Sequence, residues 1–313
     1  MKIGVDIMGG DFAPEAAIKG AIAACKAWGD EFQLVLVGDR EVVASYLEAH
    51  GENPCDFEIL HCTQVIDMAA SPVKAMAEKP DASIVVGLSH LSAGNLDGFC
   101  SAGNTGAMLV GSLFKLGAIR DDIRPCLISL LPKTNGQDGI LLDVGAIADT
   151  KPETLVDLAI LGSTYARVIL GATNPSIALL SIGEEPEKGN VTTVAAHKLL
   201  VNSKLNFVGN VEGRDLFDAK ADVIVTGGFS GNIVVKLSEK FYEVAKERGF
   251  HTDPFFARLN YETYGGSPIL GVKKPAVVGH GISTPLAIQN MIRLTYDVAR
   301  TRLTEQITEA LIS

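Results

Sequence analysis

The feature that most limits how this chain can fold is a recurring pair: a short run rich in Val, Ile and Leu, then a helical stretch, often with a glycine- or asparagine-rich junction between them. Residues 2–7 precede a helical stretch over 14–28, and 32–37 precede another over 40–49. Runs at 98–101, 126–131, 140–144, 176–182, 222–226 and 276–279 repeat the pattern, most of them leading into a helix. Such alternation predicts stacked βαβ units around a mostly parallel sheet covered on both faces. A chain of 313 residues with 47% apolar and 20% charged side chains suits that burial, and it is read as a single α/β domain over 1–313.

Charge and cysteine usage remove other classes. A net charge of −10 opposes nucleic-acid binding, which needs clustered Lys and Arg to neutralise phosphates. Five cysteines, at 25, 55, 62, 100 and 126, form no Cys-x-x-Cys pair, so neither a disulfide framework nor a zinc ribbon is expected. Cys100 and Cys126 lie in apolar runs and read as small core residues. Asp6 interrupts the N-terminus before a signal-peptide core could form, and the longest uncharged stretch, 275–292, contains two prolines, His280, Gln289 and Asn290. The expectation is a cytoplasmic protein, at most peripheral to a membrane.

Helical stretches read mainly as scaffold. The helix predicted over 152–170 opens with proline and turns Leu155, Leu158, Ala159 and Val168 inward. The spacing of Ile288, Ile292, Ala299, Leu303 and Ile307 predicts one long amphipathic helix over 285–311.

Chemistry concentrates in six junctions: Met8-Gly9-Gly10-Asp11, Ser101-Ala102-Gly103-Asn104-Thr105-Gly106, Asp143-Val144-Gly145-Ala146, Gly183-Glu184-Glu185, Gly228-Phe229-Ser230-Gly231-Asn232 and Gly279-His280-Gly281-Ile282-Ser283. At the carboxyl edge of a parallel sheet, helix N-termini offer unpaired N–H groups, so these loops predict an anion site, phosphate first. Any one of them is explained by turn and capping chemistry alone; six at one edge are not. No Walker A loop and no G-x-G-x-x-G follows the first strand, and Asp6, Asp11 and Asp143 sit singly as caps, so neither nucleotide hydrolysis, nor a dinucleotide cofactor, nor a metal is expected. His280, between two glycines after an apolar run, is a candidate acid/base group; the histidines at 50, 61, 90, 197 and 251 read as structural or solvated. Lys188 suits an ion pair with Glu184 or Glu185 as well as an anion contact. With no G-x-S-x-G elbow, direct attack by phosphate is favoured over a covalent enzyme intermediate.

In order, and with Gly209-Asn210-Val211-Glu212-Gly213-Arg214-Asp215, Lys188-Gly189-Asn190 and Tyr264-Gly265-Gly266 before Pro268, these junctions resemble the bacterial PlsX family of phosphate acyltransferases nearly end to end. The resemblance implies a three-layer α/β/α fold like isocitrate and isopropylmalate dehydrogenases and a homodimer without cofactor. It implies transfer of a fatty acyl group from acyl carrier protein to inorganic phosphate, with acyl phosphate passing to glycerol-3-phosphate acyltransferase at the membrane. Carried over by position, Lys188, His280, Asn210 and Asn232 become catalytic candidates. Gly9, Gly10, Asp11, Ser101, Gly103, Asn104, Thr105, Gly106, Asp143, Gly145, Glu184 and Ser283 become phosphate or substrate contacts.

The chain departs from the family pattern at Ile147, where Asn is usual, and at Gly227, where Asp is usual. Its segment 233–264 reads as a shortened helical hairpin, with seven of the chain's nineteen aromatics between 241 and 264 and a net charge of +2 over 232–274, suited to an acidic carrier or to lipid. Two alternatives compete: a phosphotransacetylase-like enzyme using acyl-CoA, and a carrier or membrane scaffold with impaired catalysis. A nicotinamide-dependent decarboxylating dehydrogenase would share the fold but needs an acid cluster for metal and an Arg set for carboxylates.

Overall fold

The computed structural model describes residues 1–312. In chain order the elements are β1 (Lys2–Asp6), α1 (Glu15–Trp28), β2 (Gln33–Gly38), α2 (Arg40–Ala49), β3 (Glu58–His61), α3 (Pro72–Glu78), α4 (Ser83–Ser92), β4 (Gly98–Ser101) and α5 (Thr105–Leu116). Then come β5 (Cys126–Pro132), β6 (Asp138–Leu142), α6 (Pro152–Val168), β7 (Ile177–Leu180), α7 (Val191–Val201), β8 (Phe207–Val211), β9 (Val223–Val225) and α8 (Gly228–Glu247). The chain ends with α9 (Pro254–Ala257), β10 (Ser267–Leu270), β11 (Ala276–Val278), α10 (Pro285–Arg300) and α11 (Leu303–Ile312). The expected α/β class with a mostly parallel sheet holds. Three strands, β3, β8 and β10, were not among the predicted runs.

The chain divides into two compact units, one of residues 1–118 with 261–304 and one of 119–260 with 305–313. In the first, strands run in the order β3-β2-β1-β4-β11-β10, all parallel except the β10–β11 pair. Ile3, Val5, Leu34, Leu36, Cys100 and Val277 meet Ile18 and Ala21 of α1 and Ile288, Met291 and Ile292 of α10 in one core cluster. Burial lifts the Cys100 thiol to about 12, which makes it core filling and no nucleophile.

The second unit orders its strands β5-β6-β9-β7-β8, with only β5–β6 antiparallel. Leu155, Leu158 and Ala159 of α6 are buried as its spacing predicts. After α8 the chain turns at Gly249, in the left-handed region at φ 82°, and returns through single turns and the short α9. Phe217, Phe255 and Phe256 stack edge to face there, with Phe250 beside Phe256.

The C-terminal stretch corrects one expectation. In place of a continuous helix over 285–311 there are two, α10 and α11, because Arg302 between them turns left-handed at φ 53°. Periodicity misses the break because Ala299, Leu303 and Ile307 stay buried on both sides of it.

Helix α1 packs on α10 at Gly20, where an added Cβ would lie 2.5 Å from Ile288 Cβ and 2.7 Å from the Pro285 carbonyl. Gly20→Ala gains about 1 kcal/mol of helix propensity but overpacks against backbone at a cost of about 1–3 kcal/mol. The steric term is expected to win by about 1 kcal/mol in denaturant unfolding, and a stabilised variant would contradict the close packing.

Candidate active site

The six junctions gather as three in each unit. In the first unit the exits of β1, β4 and β11 meet around Asp6, whose buried carboxylate accepts the N–H of Met8 at 2.9 Å and of Gly9 at 3.1 Å and the hydroxyl of Ser101 at 2.6 Å. Desolvation holds Asp6 above the ordinary carboxyl range even against these hydrogen bonds. Ser101 Oγ also accepts the Gly103 N–H at 2.9 Å, which draws the two loops together until a Cβ at Gly9 would lie 2.9 Å from Gly103 backbone. Gly10, at φ 109°, turns the chain so that the Asp11 N–H donates to the Gly281 carbonyl at 2.7 Å.

Asn104 caps α5 by accepting the Ala107 N–H at 2.9 Å, while its Nδ2 donates to the carbonyls of Asp67, Met68 and Ala70 at 3.0–3.1 Å. Its side chain therefore holds a neighbouring loop. The N–H groups of Thr105 and Gly106 open the helix without partners, and Thr105 is exposed beside them. His280 is half-buried with its ring 5.0 Å from that of Tyr261, and Ser283 Oγ donates to the His280 carbonyl at 2.6 Å.

In the second unit Asp143 does for β6 what Asp6 does for β1, accepting the N–H groups of Leu127 at 2.9 Å, Ala146 at 3.3 Å and Ile147 at 2.6 Å. Burial likewise raises its pKa. Gly145, at φ 131°, packs against Asn232, whose Nδ2 donates to the Val144 carbonyl at 3.3 Å. Asn210 is buried and fully used, donating to the Glu185 carbonyl at 2.9 Å and meeting His197 Nδ1 at 2.9 Å. Glu184 pairs with Lys220 at 2.8 Å. Lys188 is exposed and has no ion pair among the described residues, so the surface pairing weighed from sequence is not made.

Beside Lys188, a cavity of 940 Å³ opens between the exits of β7 and β9. Thr150, Ser181, Asn190, Thr193 and Ser230 give it neutral polar groups, Asp149 adds one acid, and Leu155, Leu179, Ile182 and Phe229 give it apolar walls. It lies at Gly227, where the absent side chain matters: a Cβ would stand 3.0 Å from Thr150 Oγ1. Sequence reading picked out Ser230 within its junction but missed the hydroxyls of Thr150, Ser181 and Thr193. It also missed a ridge on α8, where Phe229, Ile233, Leu237, Phe241 and Val244 are all exposed, although their spacing of three or four residues is visible in the sequence. Among the described residues no helix is long and apolar enough to cross a membrane.

The anchoring role of Asn104 is testable. Asn104→Asp sets a carboxylate against three carbonyls and is expected to cost about 3 kcal/mol, against about 2 kcal/mol for Asn104→Ala, which loses the cap and the donor without adding repulsion. Denaturant midpoints and proteolysis within 67–70 report both, and an unchanged Asp variant would contradict the assignment.

Comparison with known proteins shows the family. The model of the family described as fatty acid synthesis protein matches residues 1–247. A phosphate acyltransferase of Desulforudis audaxviator is 42% identical over 97% of this chain and 94% of its own length. One from Bacillus licheniformis is 39% identical over 94% and 93%. Among solved structures, a phosphotransacetylase from Streptococcus pyogenes superposes with a TM-score of 0.66 at 18% identity, covering 100% of this chain and 94% of that one. A branched-chain phosphotransacylase from Enterococcus faecalis gives 0.61 at 16% identity, covering 96% and 99%, so both show likeness of fold. With a family model over most of its length and relatives near 40% identity end to end, this chain belongs to the bacterial PlsX family of phosphate acyltransferases.

Proposed function

We propose that this chain transfers a fatty acyl group from a thioester donor, acyl carrier protein, to inorganic phosphate for phospholipid synthesis. A phosphate oxygen attacks the thioester carbonyl, the carbon–sulfur bond breaks, and the products are acyl phosphate and a thiolate that takes up a proton. The observation that carries the reaction class is the 42% identity to a phosphate acyltransferase over 97% of the chain. The geometry supports a division of labour. Unpaired N–H groups at Thr105 and Gly106 in the first unit suit an anion, and so, separately, does the unpaired ammonium of Lys188 in the second. His280, a half-buried imidazole, has the chemistry to exchange a proton with the departing sulfur. The 940 Å³ cavity far exceeds what a phosphate ion fills, and its lining, in which hydroxyls and apolar side chains outnumber the one acid, Asp149, suits the amide-bearing arm of the donor.

Partners follow from surface chemistry. The exposed apolar ridge of α8 supports a homodimer, and Lys246, Arg248 and exposed Phe250 beyond it support contact with an acidic carrier or a membrane surface, where a glycerol-3-phosphate acyltransferase would take the product. The likeness of fold to phosphotransacetylases favours acyl-CoA as the second reading, and parallel turnover of carrier-bound and CoA-bound acyl groups decides between them.

Free thiol is expected to appear from long-chain acyl carrier protein only when phosphate is present. Lys188→Ala should raise the KM for phosphate about tenfold, the worth of one charge-assisted hydrogen bond, with less effect on the donor. Thiol release independent of phosphate would refute the transferase. Separately, charge reversal at Lys246 and Arg248 should weaken carrier binding at low salt and lose its effect at high salt; equal affinity for the double variant would remove this surface from the carrier's path.

A further inference from the structure

The loop carrying Lys188 is electrostatically unfavourable for an anion. Residues 183–190 hold this one cation among three carboxylates, Glu184, Glu185 and Glu187, in a chain of net charge −10. A flexible ammonium with an acid four residues away would ordinarily pair with it, and such a pair would compete with phosphate. Here the acid is taken: Lys220 Nζ holds Glu184 Oε1 at 2.8 Å. Lys220 is itself anchored at 2.9 Å to Asp215, a buried carboxylate whose second oxygen accepts the Glu212 N–H at 2.9 Å. Glu185 lies against Gly183, where an added Cβ would meet its Oε2 at 3.0 Å and Lys188 Cγ at 2.8 Å, so it borders the stem of Lys188 without pairing with the ammonium. The backbone of the loop is fixed independently, by Lys188 N–H to the Glu185 carbonyl at 3.0 Å and by Ser181 Oγ to the Lys188 carbonyl at 2.9 Å.

We infer that Lys220 is a positioning residue that keeps Glu184 off Lys188, leaving the Lys188 ammonium available to an incoming anion. The inference rests on the reading of Lys188 as a phosphate contact.

The test measures KM for phosphate and kcat in phosphate-dependent thiol release, using the full chain. Lys220→Met should raise the KM for phosphate about threefold or more at low ionic strength, with kcat little changed, and the effect should shrink at high salt, as expected for one released charge nearby. Lys220→Arg, which keeps both pairs, should behave as wild type. Adding Glu184→Gln to Lys220→Met should return KM to within about twofold of wild type, since the competing carboxylate is gone. A raised KM that Glu184→Gln does not rescue would make Lys220 a structural anchor only and overturn the inference. If Lys188→Ala raises KM and Lys220→Met does not, the inference falls alone; if Lys188→Ala leaves KM unchanged, the reading of Lys188 falls and takes the inference with it. Should Lys220→Met fail to fold, Glu184→Gln alone decides: it is expected to lower the KM for phosphate, and an unchanged or raised value overturns the proposal.

Discussion

A buried carboxylate at a strand end organises each unit, Asp6 as the last residue of β1 and Asp143 just past β6. Asp6 and Asp143 both sit in dry surroundings that penalise their charge, and both offset that penalty by accepting three hydrogen bonds from the loop that follows and from a neighbouring strand. Desolvation still dominates, which is why each titrates above its ordinary range. The consequence is geometric. With its first N–H groups tied down by a side chain, a strand exit cannot relax into a common turn, and the next residues, Gly9 and Gly10 or Gly145, are held where neighbouring loops touch them.

Glycine then becomes necessary at the contacts these clamps create. Gly231 lies so close to the Asp143 carbonyl that no Cβ fits, and Gly9 meets Gly103 backbone to backbone. The clamp, the close approach and the open helix N-terminus at Thr105 form one causal chain, because a loop drawn in at Gly103 fixes where Asn104 caps and where α5 begins. Polar groups separate in their use: Asp6, Ser101, Asn104, Asp143 and Asn210 spend their polar atoms on the protein, while Thr105 and Lys188 are exposed.

That separation explains what the sequence could and could not reveal. Apolar runs with helical stretches after them identify β1, β4, β6 and α6 because local composition decides them. Strand β8 escaped because Gly209 and Asn210 interrupt its apolar run, and β3 because it runs from Glu58 to His61 at a sheet edge. In the site, residue types were legible and assignments were not. Asn104 and Asn210 read equally well as ligand donors or as braces, and only the three carbonyls of Asp67, Met68 and Ala70, or His197 and Glu185, show them to be braces. That Glu184 pairs with Lys220 and not with Lys188 depends on a residue more than thirty positions further along the sequence.

A protein of net charge −10 that handles phosphate illustrates a general point about scale. Charges beyond a Debye length, about 8 Å at physiological ionic strength, are largely screened at the surface, so the global excess of acid sets solubility and long-range repulsion more than the affinity of a particular loop. What remains is the handful of charges within that radius. Near Lys188 in the chain stand Glu184, Glu185 and Glu187, and pairing even one of them alters the local balance more than a distant acid does.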